Sequence, residues 1–111
     1  MIKLTSKLLM AALALSVTTT TLSANAVKGQ KLYLKKLKGK CGFNGTKFSG
    51  LFIREDLEIA QEDGEIQELF IKVCPKAKSV ISSDKFKEKY MEHIYDFAYE
   101  YAADSGNVPS C

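Results

Sequence analysis

SDKFKEKYMEHIYDFAYEYAAD, Ser83 to Asp104, is the stretch whose reading decides the fold. Phe86, Tyr90, Met91, Ile94, Phe97, Ala98, Tyr101 and Ala102 recur at spacings of three and four, which lays a broad apolar stripe along one side of an α-helix. Ser83 stands where a capping oxygen is wanted, Asp84 favours the positive end of the helix, and Gly106 suits its exit. The spacing predicts a helix from Asp84 to about Asp104 that offers the main packing surface of the chain.

Working back from this helix, Lys76 to Ser82 reads as a connecting loop. Cys74-Pro75 ends the element before it, because proline cannot continue a helix and drives the preceding residue toward an extended conformation. Glu55 to Val73 is helical in composition and should be split in two at Asp63-Gly64. Cys41 to Gly50 carries Gly42, Asn44-Gly45 and Gly50 and reads as a loop, with Asn-Gly in a tight turn and Phe43 and Phe48 turned inward. Its glycines lack the P-loop spacing, so they do not indicate a phosphate cradle. From Lys28 to Leu37, Leu32, Tyr33, Leu34 and Leu37 alternate with lysines at near-helical spacing, which predicts a short helix ended by Gly39. Gly29, one turn before Tyr33, offers a smooth spot for the close approach of another helix. The apolar face is too small for a membrane-surface helix.

Residues 1–26 read as a cleaved signal peptide: Lys3 and Lys7 are positive, Leu8 to Val17 is an apolar run, and Ala24-Asn25-Ala26 is a small-x-small cleavage pattern. The run is too short to span a bilayer about 30 Å thick. Loss of Lys3 and Lys7 takes the net charge from +3 to +1, which argues against a general attraction to nucleic acid. The charge that remains is uneven. Lys28, Lys31, Lys35, Lys36, Lys38, Lys40 and Lys47 crowd the start, and Glu55 to Glu68 is mostly acidic, so the basic end is a candidate for docking an acidic partner.

Residues 27–111 form one domain, near the size at which burial only just offsets chain entropy. Its three cysteines, Cys41, Cys74 and Cys111, all lie in the part expected to be exported, where disulfides persist. An odd number allows at most one bridge within a monomer. His93 is the only histidine and falls off the apolar stripe, on a partly exposed side of the helix. With the cysteines it supplies the right ligand types for zinc, but no close-paired spacing. A Cys74–His93 dyad has no orienting group or feature that would lower the thiol pKa. Tyr33, Tyr90, Tyr95, Tyr99 and Tyr101, at helical spacings, read as core and rim packing rather than a ligand pocket. No catalytic constellation emerges, and the chain does not read as an enzyme.

Gly29-x-x-Leu32-Tyr33, Cys41 with Asn44-Gly45, the Pro75 turn and Ser83-Asp84 follow one another in an order that resembles a small class I cytochrome c. The resemblance covers nearly all of residues 28–104. The ending, Ile94-Tyr95-Asp96-Phe97 to Gly106-Asn107-Val108-Pro109-Ser110-Cys111, also resembles small exported proteins labelled cytochrome c that lack the haem-attachment box. That box is Cys-x-x-Cys-His. In KGKCGFNG, Lys38 to Gly45, Cys41 aligns with the second cysteine, but Lys38 stands for the first and Gly42 for the histidine, and Cys74 stands for the distal methionine.

The resemblance implies an all-α, cytochrome c-like domain of about four helices, a periplasmic location, and a role in respiratory electron transfer with atypical or lost haem binding. It implies a redox or respiratory protein as partner. It also places Cys41 and Cys74 at the border of the space that haem would fill. They would there form a disulfide across a collapsed pocket or remain buried thiols; the other arrangement is a Cys74 thiolate on iron, with haem held non-covalently or by one thioether. The alternative function is a haem-free, disulfide-stabilised periplasmic binding or accessory module that uses its lysine-rich start to hold a partner. A third reading is thiol exchange through Cys111.

Overall fold

A computed structural model describes residues 24–109, and these are helical with no β-strand among them. The all-α expectation is met. The expected cleavage site falls just inside the described residues, while the rest of the signal segment and Cys111 lie outside them.

The chain opens with α1 (Ala24–Leu32), which runs through a π-turn at Tyr33–Leu37 into the short α2 (Lys38–Cys41). In the π-turn the Lys38 N–H bonds to the Tyr33 carbonyl, five residues back. Gly39 therefore does not end the first helix. The end comes at Gly42, which takes the left-handed conformation (φ 84°) that a side chain would oppose. Asn44 then acts as a cap, not as part of a tight positive-φ turn: its backbone is extended and its Oδ1 accepts the Lys47 N–H at 2.9 Å. The expected loop from Cys41 to Gly50 therefore contains α3 (Gly45–Ser49), which carries Phe48 into the core. The buried Ser49 hydroxyl is satisfied by the Gly45 carbonyl at 3.0 Å.

α4 (Arg54–Asp63) and α5 (Ile66–Val73) are separated at Gly64 as the sequence indicates. Gly64 is left-handed (φ 71°), and the Glu65 N–H reaches back to the Ala60 carbonyl at 2.7 Å. Cys74 leaves the helix at φ −139°, as its neighbour Pro75 requires. The segment after it is more ordered than a connecting loop. A 3₁₀ turn at Pro75–Ala77 leads into α6 (Lys78–Ile81), since Ala77 and Ile81, four residues apart, are both fully buried. Gln67 ties this piece to α5 by donating to the Ile81 carbonyl at 2.8 Å.

The last helix begins as predicted: Ser83 Oγ accepts the Phe86 N–H at 3.1 Å. It passes through a second π-turn, Phe86–Tyr90, into α7 (Met91–Glu100). It stops at Glu100, four residues before the expected end, because the Ala103 N–H is taken by the Phe52 carbonyl at 2.8 Å. Among the described residues the longer helices are α1, α4, α5 and α7, and the short elements between them are single turns too short for periodicity to reveal.

The closest packing is between α1 and α7. A Cβ placed on Gly29 would lie 1.9 Å from the His93 carbonyl oxygen and 2.9 Å from Phe97 Cβ, so the two backbones meet where Gly29 has no side chain. Around this contact the rings of Tyr33, Phe48, Phe52, Phe70, Phe86 and Phe97 are joined by successive centroid distances of 4.5–6.4 Å. Phe48 touches Tyr33, Phe52 and Phe70, and so links α1, α3 and α5.

Gly29→Ala is expected to cost about 1–3 kcal/mol through overpacking of two backbones, lowering Tm by roughly 4–8 °C per kcal/mol. Gly39→Ala is the contrast. Nothing lies within 4 Å of a Cβ there, the residue is helical, and a gain of about 0.5–1 kcal/mol is expected. Thermal melts of the two variants check both signs.

Candidate functional site: the bridged basic end

Cys41 closes α2 and Cys74 leaves α5, and the structure joins them by a disulfide with Cα atoms 5.2 Å apart across 33 residues of sequence. Cys74 is buried and Cys41 is partly exposed. The bridge brings α2 against the Pro75–Ala77 turn. Each side carries lysines. Lys38 and Lys40 lie on one side, Lys72, Lys76 and Lys78 on the other, and all five are exposed. Within the loop beside the bridge, the Tyr33 hydroxyl donates to the Phe43 carbonyl at 2.6 Å, and Lys47 Nζ lies 5.5 Å from the Phe43 ring.

The residues do not fit a haem. Both sulfurs at the candidate positions are bonded to each other, so neither is a thioether donor nor an iron ligand. Lys38 and Gly42 supply no replacement for the missing cysteine and histidine. The interior beside Cys74 is filled by the stacked and edge-on rings of the core, fully buried at Tyr33, Phe48 and Phe70. His93 sits on α7 and is partly exposed, with a buried Nδ1 that has no hydrogen-bond partner among the described residues. Its carbonyl faces Gly29. Among the described residues no group of three or more His, Cys, Asp or Glu is placed to hold a metal ion. Cys74 is not free to pair with His93 as a nucleophile. Of the five tyrosines, Tyr33 and Tyr95 are buried and the other three are partly buried against the core.

A second polar cluster escaped the sequence reading. Arg54, the only arginine in the chain, opens α4, where Ile53 has no side-chain oxygen to cap the helix. The cap comes from far along the chain: Asp104 Oδ1 accepts the Arg54 N–H at 3.1 Å. In return the Arg54 guanidinium donates to the Tyr99 carbonyl at 2.9 Å and reaches the Glu100 carbonyl at 3.5 Å, at the negative end of α7. It also lies 4.6 Å from the centre of the Tyr99 ring. The Tyr99 hydroxyl donates to Glu58 Oε2 at 2.5 Å. This latch joins the start of α4 to the end of α7. The signal available in the sequence was a solitary arginine after a residue that cannot cap.

The hydrogen bond to Glu58 raises the Tyr99 pKa above the ordinary phenol value; burial and the Glu58 charge add to this, and Arg54 partly opposes it. Folding therefore holds the phenolic proton more tightly. Its contribution is complete below the unfolded tyrosine pKa of about 10 and is lost as pH rises through the higher native value. The Tyr95 pKa is raised chiefly by burial and then by Tyr99 and Glu58. In urea unfolding, the stability difference between wild type and Tyr99→Phe is expected to be flat below about pH 9 and to shrink above about pH 10. Replacing both cysteines of the bridge by serine is expected to cost about 4 kcal/mol on the chain-entropy account. The same unfolding measurement reads it, and a loss below about 1 kcal/mol would show that the unfolded chain is already constrained.

No protein-family model matches the chain, and no curated protein or solved structure is significantly similar to it.

Proposed function

We propose that the domain is a haem-free, disulfide-stabilised binding or accessory module that works in an oxidising compartment after export. The observation that carries this reading is the Cys41–Cys74 bridge, which uses the two side chains that the cytochrome c resemblance sets beside a haem. A covalent link closing a loop of this length supplies stability of the kind a small domain otherwise draws from a cofactor. The bridge also supports export, since structural disulfides persist outside the reducing cytoplasm. The charged leader and the Ala24-Asn25-Ala26 pattern support the same route. The exposed lysines on both sides of the bridge, Lys38 and Lys40 with Lys72, Lys76 and Lys78, support recognition as the role of this end.

The test is a visible spectrum and intact mass of the protein purified from a periplasm that also contains haem-maturation machinery. A colourless protein whose mass corresponds to an oxidised cysteine pair is expected. A Soret band that survives acid-acetone extraction, with haem added to the mass, would overturn the proposal and restore the electron-carrier reading.

A further inference from the structure

We infer that the bridged end of the molecule is a docking surface for an acidic segment of a partner protein. This deepens the binding-module reading and rests on it. Lys28, Lys31, Lys35 and Lys38 follow one another at spacings of three and four along α1 and its continuation, and all four are exposed. The row leads to the bridge, where Lys40 on one side and Lys76 and Lys78 on the other complete a basic collar around Cys41 and Cys74. No Asp or Glu occurs between residues 27 and 54, or between 69 and 83, so neither bridged segment carries a neutralising carboxylate. The disulfide is what makes one surface of them. Lys38 and Lys76 are far apart in sequence, and the Cα atoms of their neighbours Cys41 and Cys74 are held at 5.2 Å.

The surroundings favour a polypeptide over the other polyanions. Of the exposed large apolar side chains, Val27, Leu51, Ile53, Ile59 and Val108, only Val27 adjoins the lysine row, at the end away from the bridge, and none lies between Lys38 and Cys41 or between Lys72 and Lys78, which leaves little to insert into a bilayer there. The nearby rings of Phe43 and Tyr90 are partly buried and lie near Lys47 and Lys36, at 5.5 and 5.4 Å, rather than standing free to stack on bases. Glu55, Asp56, Glu58, Glu62, Asp63, Glu65 and Glu68 are exposed on and around α4 and α5, where they would repel a long duplex or a flat anionic membrane. A short acidic segment covers less of the molecule and is opposed by fewer of them. Gly39 and Gly42, with open space where a Cβ would stand, let its backbone approach the bridge.

The probe is a fluorescein-labelled oligo-glutamate peptide, titrated by anisotropy with the full exported protein in its oxidised form. Binding is expected at low salt and should vanish near 1 M salt, where screening acts within about 3 Å. Lys38→Glu with Lys76→Glu, one change on each side of the bridge, is expected to weaken binding by about tenfold or more. Lys85→Glu with Lys87→Glu alters the net charge equally outside the bridged segments and should change binding by no more than about twofold. All four lysines are exposed, so the variants are expected to fold, and thermal melts check this. Equal weakening by the two pairs, no binding at low salt, or tighter binding to phosphatidylglycerol vesicles or duplex DNA each overturns the inference. So does self-association that the Lys38→Glu/Lys76→Glu protein loses, because the occupant is then the acidic stretch of a second copy. These readouts are independent of colour: a colourless protein that ignores the peptide loses its docking surface and remains haem-free.

Discussion

The structure depends on a backbone contact. At Gly29 the first helix comes so close to the last that the His93 carbonyl occupies the place of a side chain. Two helices set that near need a small residue at the crossing, and aromatic rings fill the core around it. There Tyr33 and Phe97 flank the contact, and Phe48 and Phe70 continue the packing outward to α3 and α5. Each later element adds to this aromatic core. α3 delivers Phe48, the segment before α4 delivers Phe52, the turn after the bridge delivers Ala77, and α6 delivers Ile81.

The parts of this arrangement that were legible in the sequence are those in which one residue type has one physical use. The stripe from Phe86 to Ala102 reads as a buried helix face, Asp63-Gly64 together as a helix break, and Ser83 before Asp84 as a cap. Gly29 was legible as a place of close approach because a small residue interrupted an otherwise bulky face. The signal failed where a residue had two uses. Asn44 suits a tight turn and a helix cap equally well, and the choice was made by Phe48, which reaches the core only if a helical turn follows. Gly39 reads as a helix end, yet the helix continues until Cys41 reaches its partner. Lys76 to Ser82 has too few apolar residues to show a period, and its helix exists because Ala77 and Ile81 are both held in the core.

At the candidate site the residues were legible and their relation was not. Cys41 and Cys74 stood out by type, and their pairing followed only from the cytochrome c likeness. Lys72, Lys76 and Lys78 carried no signal, because in sequence they are ordinary surface lysines far from the basic start of the chain. The bridge gives them neighbours. Arg54 and Asp104 were hidden for the same reason: the cap that one helix lacks is supplied by residues 50 positions away. Local pattern reports what a helix wants, and only the fold reports who provides it.

The two π-turns bear on how this chain tolerates changes of length. Each contains one residue more than an α-helix needs to cover the same path, at Tyr33–Leu37 in the first helix and Phe86–Tyr90 in the last. They also face one another, with Lys36 Nζ lying 5.4 Å from the Tyr90 ring. Losing one residue within either turn would tighten the wide ring to an ordinary one and leave the rest of that helix in register. In the first helix the Gly29 contact before the turn and the bridge after it would keep their places; in the last helix the Ser83 cap lies before the turn, and the Gly29 contact and the Arg54 latch both lie after it. Elsewhere in these helices a deletion rotates every following side chain by about 100° and turns the apolar face away from the core. Single-residue gaps should therefore be confined to these two turns in any protein that shares the fold.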